Sequence, residues 1–188
     1  MTKILVTGGA GFIGSATIAE LPKHGDDIYV IDSLSFGDRD FLRIPDTYFH
    51  QLDILNGHGL SEVIHKIDDP DGIIHLAAIH FIPYCNQHPF KWSNINIQGT
   101  INVLNAAKSL KNLEKMFFAS TAAVYRICEE AILETQQTNP LDIYGLSKLA
   151  GEHLMNEFHL QTSILTIIFR FFNAFGLNET NLHLIPEI

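Results

Sequence analysis

Tyr144 and Lys148 stand four residues apart in the run Tyr144-Gly145-Leu146-Ser147-Lys148. On a helix that spacing puts a phenol and an ammonium on one face. A free phenol ionises near pH 10, so holding it as a base at neutral pH takes about 4 kcal/mol. One cation about 4 Å away, at an effective dielectric near 20, supplies about 4 kcal/mol. The pair can therefore take a proton from a substrate hydroxyl. Thr121, just past the apolar run 115–119, could hydrogen-bond the same hydroxyl and orient it. On its own the Tyr/Lys spacing more often marks a solvated helix face; what lies upstream in the chain changes that reading.

Gly8, Gly11 and Gly14 punctuate the segment 7–14, TGGAGFIG, which follows a short apolar run and opens a helical pattern. Side chains at those points would obstruct a tight turn, the approach of a pyrophosphate, or helix-to-strand packing. The helix start behind the turn offers free N–H groups and a positive dipole end for phosphates. Asp32 ends the next apolar run, 18 residues after Gly14. A carboxylate there accepts from adenosine ribose hydroxyls and repels a 2′-phosphate, which favours NAD over NADP. Arg39 and Arg43 are near enough in sequence to serve a 2′-phosphate instead. Asp53, after the third run, could meet the adenine amino group or simply cap a turn.

The elements needed to position these residues are legible. Apolar runs at 3–7, 28–31, 48–52, 72–76, 115–119 and 163–171 read as strands, continuous rather than alternating and so buried on both faces. Between them, 12–24 (closed by Gly25), 59–66, 92–110 and 143–159 read as helices. The segments 32–39, 83–89 and 127–140 read as loops, the last long enough to be functional or partly ordered. This alternation predicts the α/β class: a doubly wound parallel sheet of the Rossmann type, six or more strands with helices on both faces. Ligands of such sheets sit at the carboxyl edge, which collects Gly8, Asp32, Asp53, Ala77, Thr121 and Asn173 around one crevice.

Composition narrows the partners. Twelve Lys and Arg against 21 Asp and Glu leave the 188-residue chain at −9, with no basic cluster to bind nucleic acid or an anionic membrane surface. No run approaches the length of a membrane span, and the N-terminus lacks the pattern of a signal peptide. Cys85 and Cys128 are too few for a disulfide framework, so the expected compartment is a reducing cytoplasm. The ten histidines show no metal-ligand spacing, and no metal is expected.

With these residues in hand, the chain resembles the extended short-chain dehydrogenase/reductases, within them the NAD-dependent epimerase/dehydratase family and its UDP-glucose 4-epimerases. The similarity runs from Lys3 to Ile188 through TGGAGFIG (7–14), Asp32, LDI (52–54), HLAA (75–78), NINIQGTINVLNAA (94–107), FASTAAVY (118–125), YGLSK (144–148) and RFFNAFG (170–176). It implies Tyr144 as base, Lys148 as its electrostatic partner and ribose ligand, and Thr121 as the orienting hydroxyl. It implies cofactor contacts from Gly8, Gly11, Phe12, Ile13, Gly14, Asp32, Asp53, Ile54, Ala77, Ala78, His80, Asn96, Tyr144, Lys148 and Phe171. Phe172 falls near the nicotinamide, while Thr121, Tyr144, Asn173, Asn181 and Leu182 fall on the nucleotide-sugar side.

The implied reaction is reversible C4 epimerisation of a nucleotide sugar through a 4-keto intermediate, with NAD regenerated. Residues 1–176 would form the NAD-binding domain and 177–188 the start of a substrate-binding lobe. Helices 92–110 and 143–159 would either pair across a homodimer or serve only to cover the sheet. Ala122-Ala123 stand where the 4,6-dehydratases of the family carry an Asp-Glu pair, which favours epimerisation or simple oxidation. His80 replaces a Lys common in the 4-epimerases, and Arg126 replaces a Gly. A catalytically inactive NAD-binding fragment and a nucleotide-sugar dehydrogenase or reductase are the alternatives.

Overall fold

Six parallel strands form the sheet: β1 (Lys3–Thr7), β2 (Asp27–Asp32), β3 (Phe49–Gln51), β4 (Gly72–His75), β5 (Lys115–Thr121) and β6 (Leu165–Phe171). Their spatial order is β3-β2-β1-β4-β5-β6, every pairing parallel. The computed structural model describes residues 2–80, 86–128 and 130–179. Chain direction across the sheet reverses after β3, and β4 returns to the far side of β1. The switch point therefore falls between β1 and β4, where open α/β sheets place their ligands.

Strand alternation sorts the core into two layers. Leu5, Ile31, Ile73, Met116 and Phe118 pack with helices α2 (Gly57–Lys66), α3 (Pro89–Ala107) and α4 (Ile143–Thr162), through Leu60, Ile64, Val103 and Met155. Val6, Ile28 and Val30 point the other way and pack on Ile18 of α1 (Phe12–Glu20). On that second face, an apolar trough of about 400 Å³ runs from Ile4, Ile74 and Leu76 to Phe117, Phe169 and Phe171.

Element ends follow local chemistry. α3 starts at Pro89, three residues before the sequence pattern places it, because proline at the first helical position loses no needed hydrogen bond. The first helix turns 3-10 from Leu21 to His24, where Pro22 cannot continue the α ladder, and closes on Gly25 at φ +83°. α4 runs three residues beyond the expected His159, to Thr162. It is capped by Asp142, whose carboxylate accepts from Gly145 N at 2.7 Å, and ended by left-handed Ser163. The 127–140 segment is an excursion that folds back: Tyr125 bridges Thr138, and Asn139 N donates to Val124 O.

Candidate active site

Residue types explain the glycine turn directly. Gly8 holds φ +75°, and a Cβ there would sit 2.5 Å from Ala77 N. A Cβ on Gly14 would sit 2.3 Å from Gly8 O. Gly11, by contrast, has only Gly8 O in range, at 3.4 Å, so space opens in front of it. It stands at the start of α1, which has no side-chain cap. Phe12 and Ile13 therefore present their N–H groups at an open helix start, a geometry suited to phosphate.

Asp32 is buried at the end of β2. Its carboxylate accepts from Ala10 N at 2.9 Å and Leu34 N at 2.8 Å, tying the glycine turn to the second strand. Burial raises its pKa, and the two backbone donors oppose the rise. Each oxygen keeps a further lone pair for a ribose hydroxyl. The Asp53 carboxylate, exposed, turns onto Leu55 N at 2.9 Å. Ile54 is buried under Gly99, and its carbonyl accepts from Asn102.

The helix that bears Tyr144 and Lys148 reaches the same edge. Gly145 allows the first turn of α4 to lie on the 121–124 turn, where a Cβ would come within 2.5 Å of Ala123 O. This seats Tyr144 beside the segment that begins at Thr121. Thr121 Oγ1 accepts from Ala123 N at 3.2 Å, which leaves its own O–H for another acceptor. Lys148 does not lie on a solvated face: it is buried, its Nζ donates to Ala119 O at 2.7 Å, and it sits 4.9 Å from the Phe118 ring centre. Burial pulls its pKa down to about 7.

Asn96 joins the two halves of the site. Its Oδ1 accepts from Ile79 N, and its Nδ2 donates to Ile79 O and to Ser147 Oγ. The Ala77–His80 segment is thereby fixed against both α3 and α4, with His80 exposed at its end. After β6 the chain crosses toward the glycine turn. A Cβ on Gly176 would lie 3.3 Å from the Phe12 ring, and Asn178 Nδ2 donates to Ser15 Oγ at 3.2 Å. Phe171, Phe172 and Asn173 are exposed along that crossing, while Asn181 and Leu182 lie outside the described residues, as does Cys85.

Several residues of the site's frame carry no local sequence signal. Glu152, one turn beyond Lys148, accepts from Ser120 Oγ and takes both Nε and Nη2 of Arg170, at 2.9 and 2.7 Å. Arg170 also donates to Tyr125 Oη and Glu134 O, so this pair, with Glu152 buried and Arg170 partly so, locks α4, the ends of β5 and β6, and the excursion between β5 and α4. The i, i+4 offset from Lys148 and an arginine inside an apolar strand were the available hints. Among the described residues no group of three His, Cys, Asp or Glu could hold a metal, and no helix is long and apolar enough to cross a membrane.

A 3-2-1-4-5-6 parallel sheet with a glycine turn and an uncapped helix start at its switch point defines the Rossmann-type α/β class. Within that class, the chain belongs to the NAD dependent epimerase/dehydratase family, which it matches over residues 4–188. It is 37% identical to the UDP-glucose 4-epimerase of Lacticaseibacillus casei across 92% of this chain and 52% of that protein. The NAD complex of the Brucella ovis UDP-glucose 4-epimerase superposes with a TM-score of 0.92 at 31% identity, covering all of this chain and 59% of that one. A UDP-N-acetylglucosamine 4-epimerase from Methanobrevibacter ruminantium, in complex with UDP-N-acetylmuramic acid, aligns at TM-score 0.86 and 27% identity over 97% of this chain and 58% of that one. The chain thus spans about half the length of the curated relatives it matches.

Proposed function

We propose that this chain is the cofactor-binding half of an NAD-dependent nucleotide-sugar epimerase of the UDP-glucose/UDP-galactose 4-epimerase type. The observation that carries the reading is the convergence, through Ala77 and Asn96, of the Gly8–Gly14 turn and the helix bearing Tyr144 and Lys148. Residues 1–176 form the cofactor domain, and 177–188 begin a substrate lobe.

The residues present fit a dinucleotide. Gly11, Phe12 and Ile13 would hold its diphosphate and Asp32 its adenosine ribose, with Asp53 and Ile54 near the adenine. Ala77, Ala78, His80, Asn96 and Phe171 would flank the nicotinamide end, and Lys148 the second ribose. When bound, NAD supplies hydride acceptance and return, so the sugar is oxidised and reduced with no net change of redox state. Tyr144 Oη, as phenolate, takes the proton of the sugar 4-hydroxyl and later gives it back. Thr121 orients that hydroxyl. Lys148 favours the phenolate electrostatically, and a negative phenolate beside its Nζ favours the ammonium over the amine that burial promotes. Ala122 and Ala123 offer no acid or base for eliminating water. Asn173, Asn181 and Leu182 would meet the nucleotide sugar. Two copies would pair through 92–110 and 143–159, where Leu146 is exposed.

Purified chain should bind NAD by calorimetry and convert UDP-galactose to UDP-glucose, with Tyr144→Phe retaining NAD and losing turnover at least a hundredfold. An unaltered chain that takes up no NAD ends this reading. The second reading is an NAD-binding module without turnover. Its signature is NAD affinity with no affinity for the UDP-sugar.

A further inference from the structure

We infer that His75 is a positioning residue. As a neutral ring carrying its proton on Nε2, it is the central link of a one-way hydrogen-bond chain that registers the glycine turn against the catalytic helix. The inference rests on the cofactor reading above, and it adds residues for which that reading gives no role: Thr7, His75, Thr100 and Ser147.

The direction of the chain follows from acceptors that cannot donate. Thr100 Oγ1 lies 2.6 Å from Asn96 O, a carbonyl, so the threonine spends its proton there. Its remaining contact, His75 Nε2 at 3.0 Å, must then be the donor. The ring is fully buried with no carboxylate partner, and burial holds it far below its ordinary pKa, at about 3. Only one nitrogen therefore carries hydrogen, and Nδ1 is a bare acceptor. Thr7 Oγ1, at 2.7 Å, donates to it.

At Asn96 the chain passes from one hydrogen-bonded segment to the next through the residue itself: its carbonyl takes the Thr100 proton and its side chain starts the second segment. Asn96, on the same turn of α3, donates through Nδ2 to Ser147 Oγ, and Ser147 Oγ donates to Tyr144 O at 2.7 Å. Each link uses the one proton its donor has to offer in that direction. Every side chain along it is buried. The chain begins at Thr7, the residue before Gly8, and ends on the backbone of the candidate base. Within each segment, hydrogen bonds aligned in one direction polarise and strengthen one another, and a missing link strands buried partners on both sides. The packing is equally tied to the site, since the Phe118 ring contacts the His75 ring at 5.7 Å and the Lys148 ammonium at 4.9 Å.

The test compares His75→Leu, His75→Gln and Thr100→Val in the full chain. Nitrogen-15 NMR of the unaltered protein should show His75 with a protonated Nε2 and a bare Nδ1 from pH 6 to 8. His75→Leu should lower NAD affinity, by calorimetry on folded protein, at least tenfold. His75→Gln, which keeps one donor and one acceptor, should stay within about threefold. Thr100→Val should resemble His75→Leu and serves in its place if the leucine variant does not fold. A purely structural role would lower Tm in these variants and leave the NAD affinity of the folded fraction unchanged, and that result overturns the inference. So does an Nδ1-protonated ring. Failure of the unaltered chain to bind NAD sinks the cofactor reading and this one together. Intact binding with unresponsive variants sinks this one alone.

Discussion

The two faces of the sheet are built differently. On one, α2, α3 and α4 close over Leu5, Ile73, Met116 and Phe118, and beneath them lie His75, Asn96, Thr100, Ser147, Lys148 and Glu152, all buried. On the other, Ile18 of α1 and Leu42 from the segment after β2 cover Val6 and Val30, and the β5–β6 end is an open apolar trough. Phe169 and Phe171 remain 46% and 37% exposed there, stacked or tilted against their neighbours in a row with Phe117. Dry burial makes polar groups directional and shifts their protonation. His75, Lys148 and Glu152 therefore stand on the face that is fully closed, while the other face contributes the glycine turn, the start of α1 and Asp32, which holds that turn. A parallel sheet needs both faces covered, so in this chain β6 is less supported than β1.

The largest effect should appear where closure is complete. Phe118 is 1% exposed, and a Cβ on Gly151 would stand 2.4 Å from its ring tip, so no neighbour is free to collapse inward. Phe118→Ala should destabilise the fold by about 3–5 kcal/mol in urea unfolding. The same cavity removes the ring between His75 and Lys148. A loss below about 1 kcal/mol would mean the closed face is loosely packed, and the contrast with the trough would collapse.

How the faces differ was only half legible in the sequence. Five of the six strands announce themselves as continuous apolar runs, because both-face burial is the pattern of a parallel sheet, whereas the third is a weaker run broken by His50 and Gln51. The same rule misleads at β6, where 163–171 reads as doubly buried although Phe169 and Phe171 are exposed. Gly8, Gly11, Gly14, Asp32, Tyr144 and Lys148 are readable because their chemistry needs short, fixed spacings. The frame around them is not. Thr7, His75, Thr100 and Ser147 meet only after folding, and Arg170 looks out of place until Glu152 is brought to it. Pro89, read as the end of a loop, proves to be a helix start.

An intermediate effect should come from proton linkage on the closed face. His75 is held near pKa 3 when folded and titrates near 6.5 when unfolded, so the unfolded chain binds more protons between those values. Stability is then lost as pH falls through 6.5 toward 3. Relative to His75→Gln, the unaltered chain should lose about 2 kcal/mol between pH 7 and pH 5. Lys148 works in the opposite window. Its folded pKa of about 7 lies below its ordinary 10.5, so the unfolded chain again holds the extra proton, and stability rises with pH from 7 toward 10.5. Lys148→Met should flatten that rise. Equal pH slopes in unaltered and His75→Gln protein would show that the ring is not sealed from water.

The smallest effect belongs to the open face, and it is the sharpest comparison because the residue type is the same. Phe169 lies one strand away from Phe118, on β6 against β5, and faces the trough. Its ring stacks on Phe117 with centres 5.9 Å apart, and water reaches the rest. Phe169→Ser should therefore cost at most about 1 kcal/mol, most of it the aromatic pair, in the same urea assay that costs Phe118→Ala several times more. Binding of an environment-sensitive apolar dye should fall with it, since the serine removes part of the trough wall. If Phe169→Ser instead unfolds the chain as readily as Phe118→Ala does, the trough is a working core, and the two faces are not the unequal partners described above.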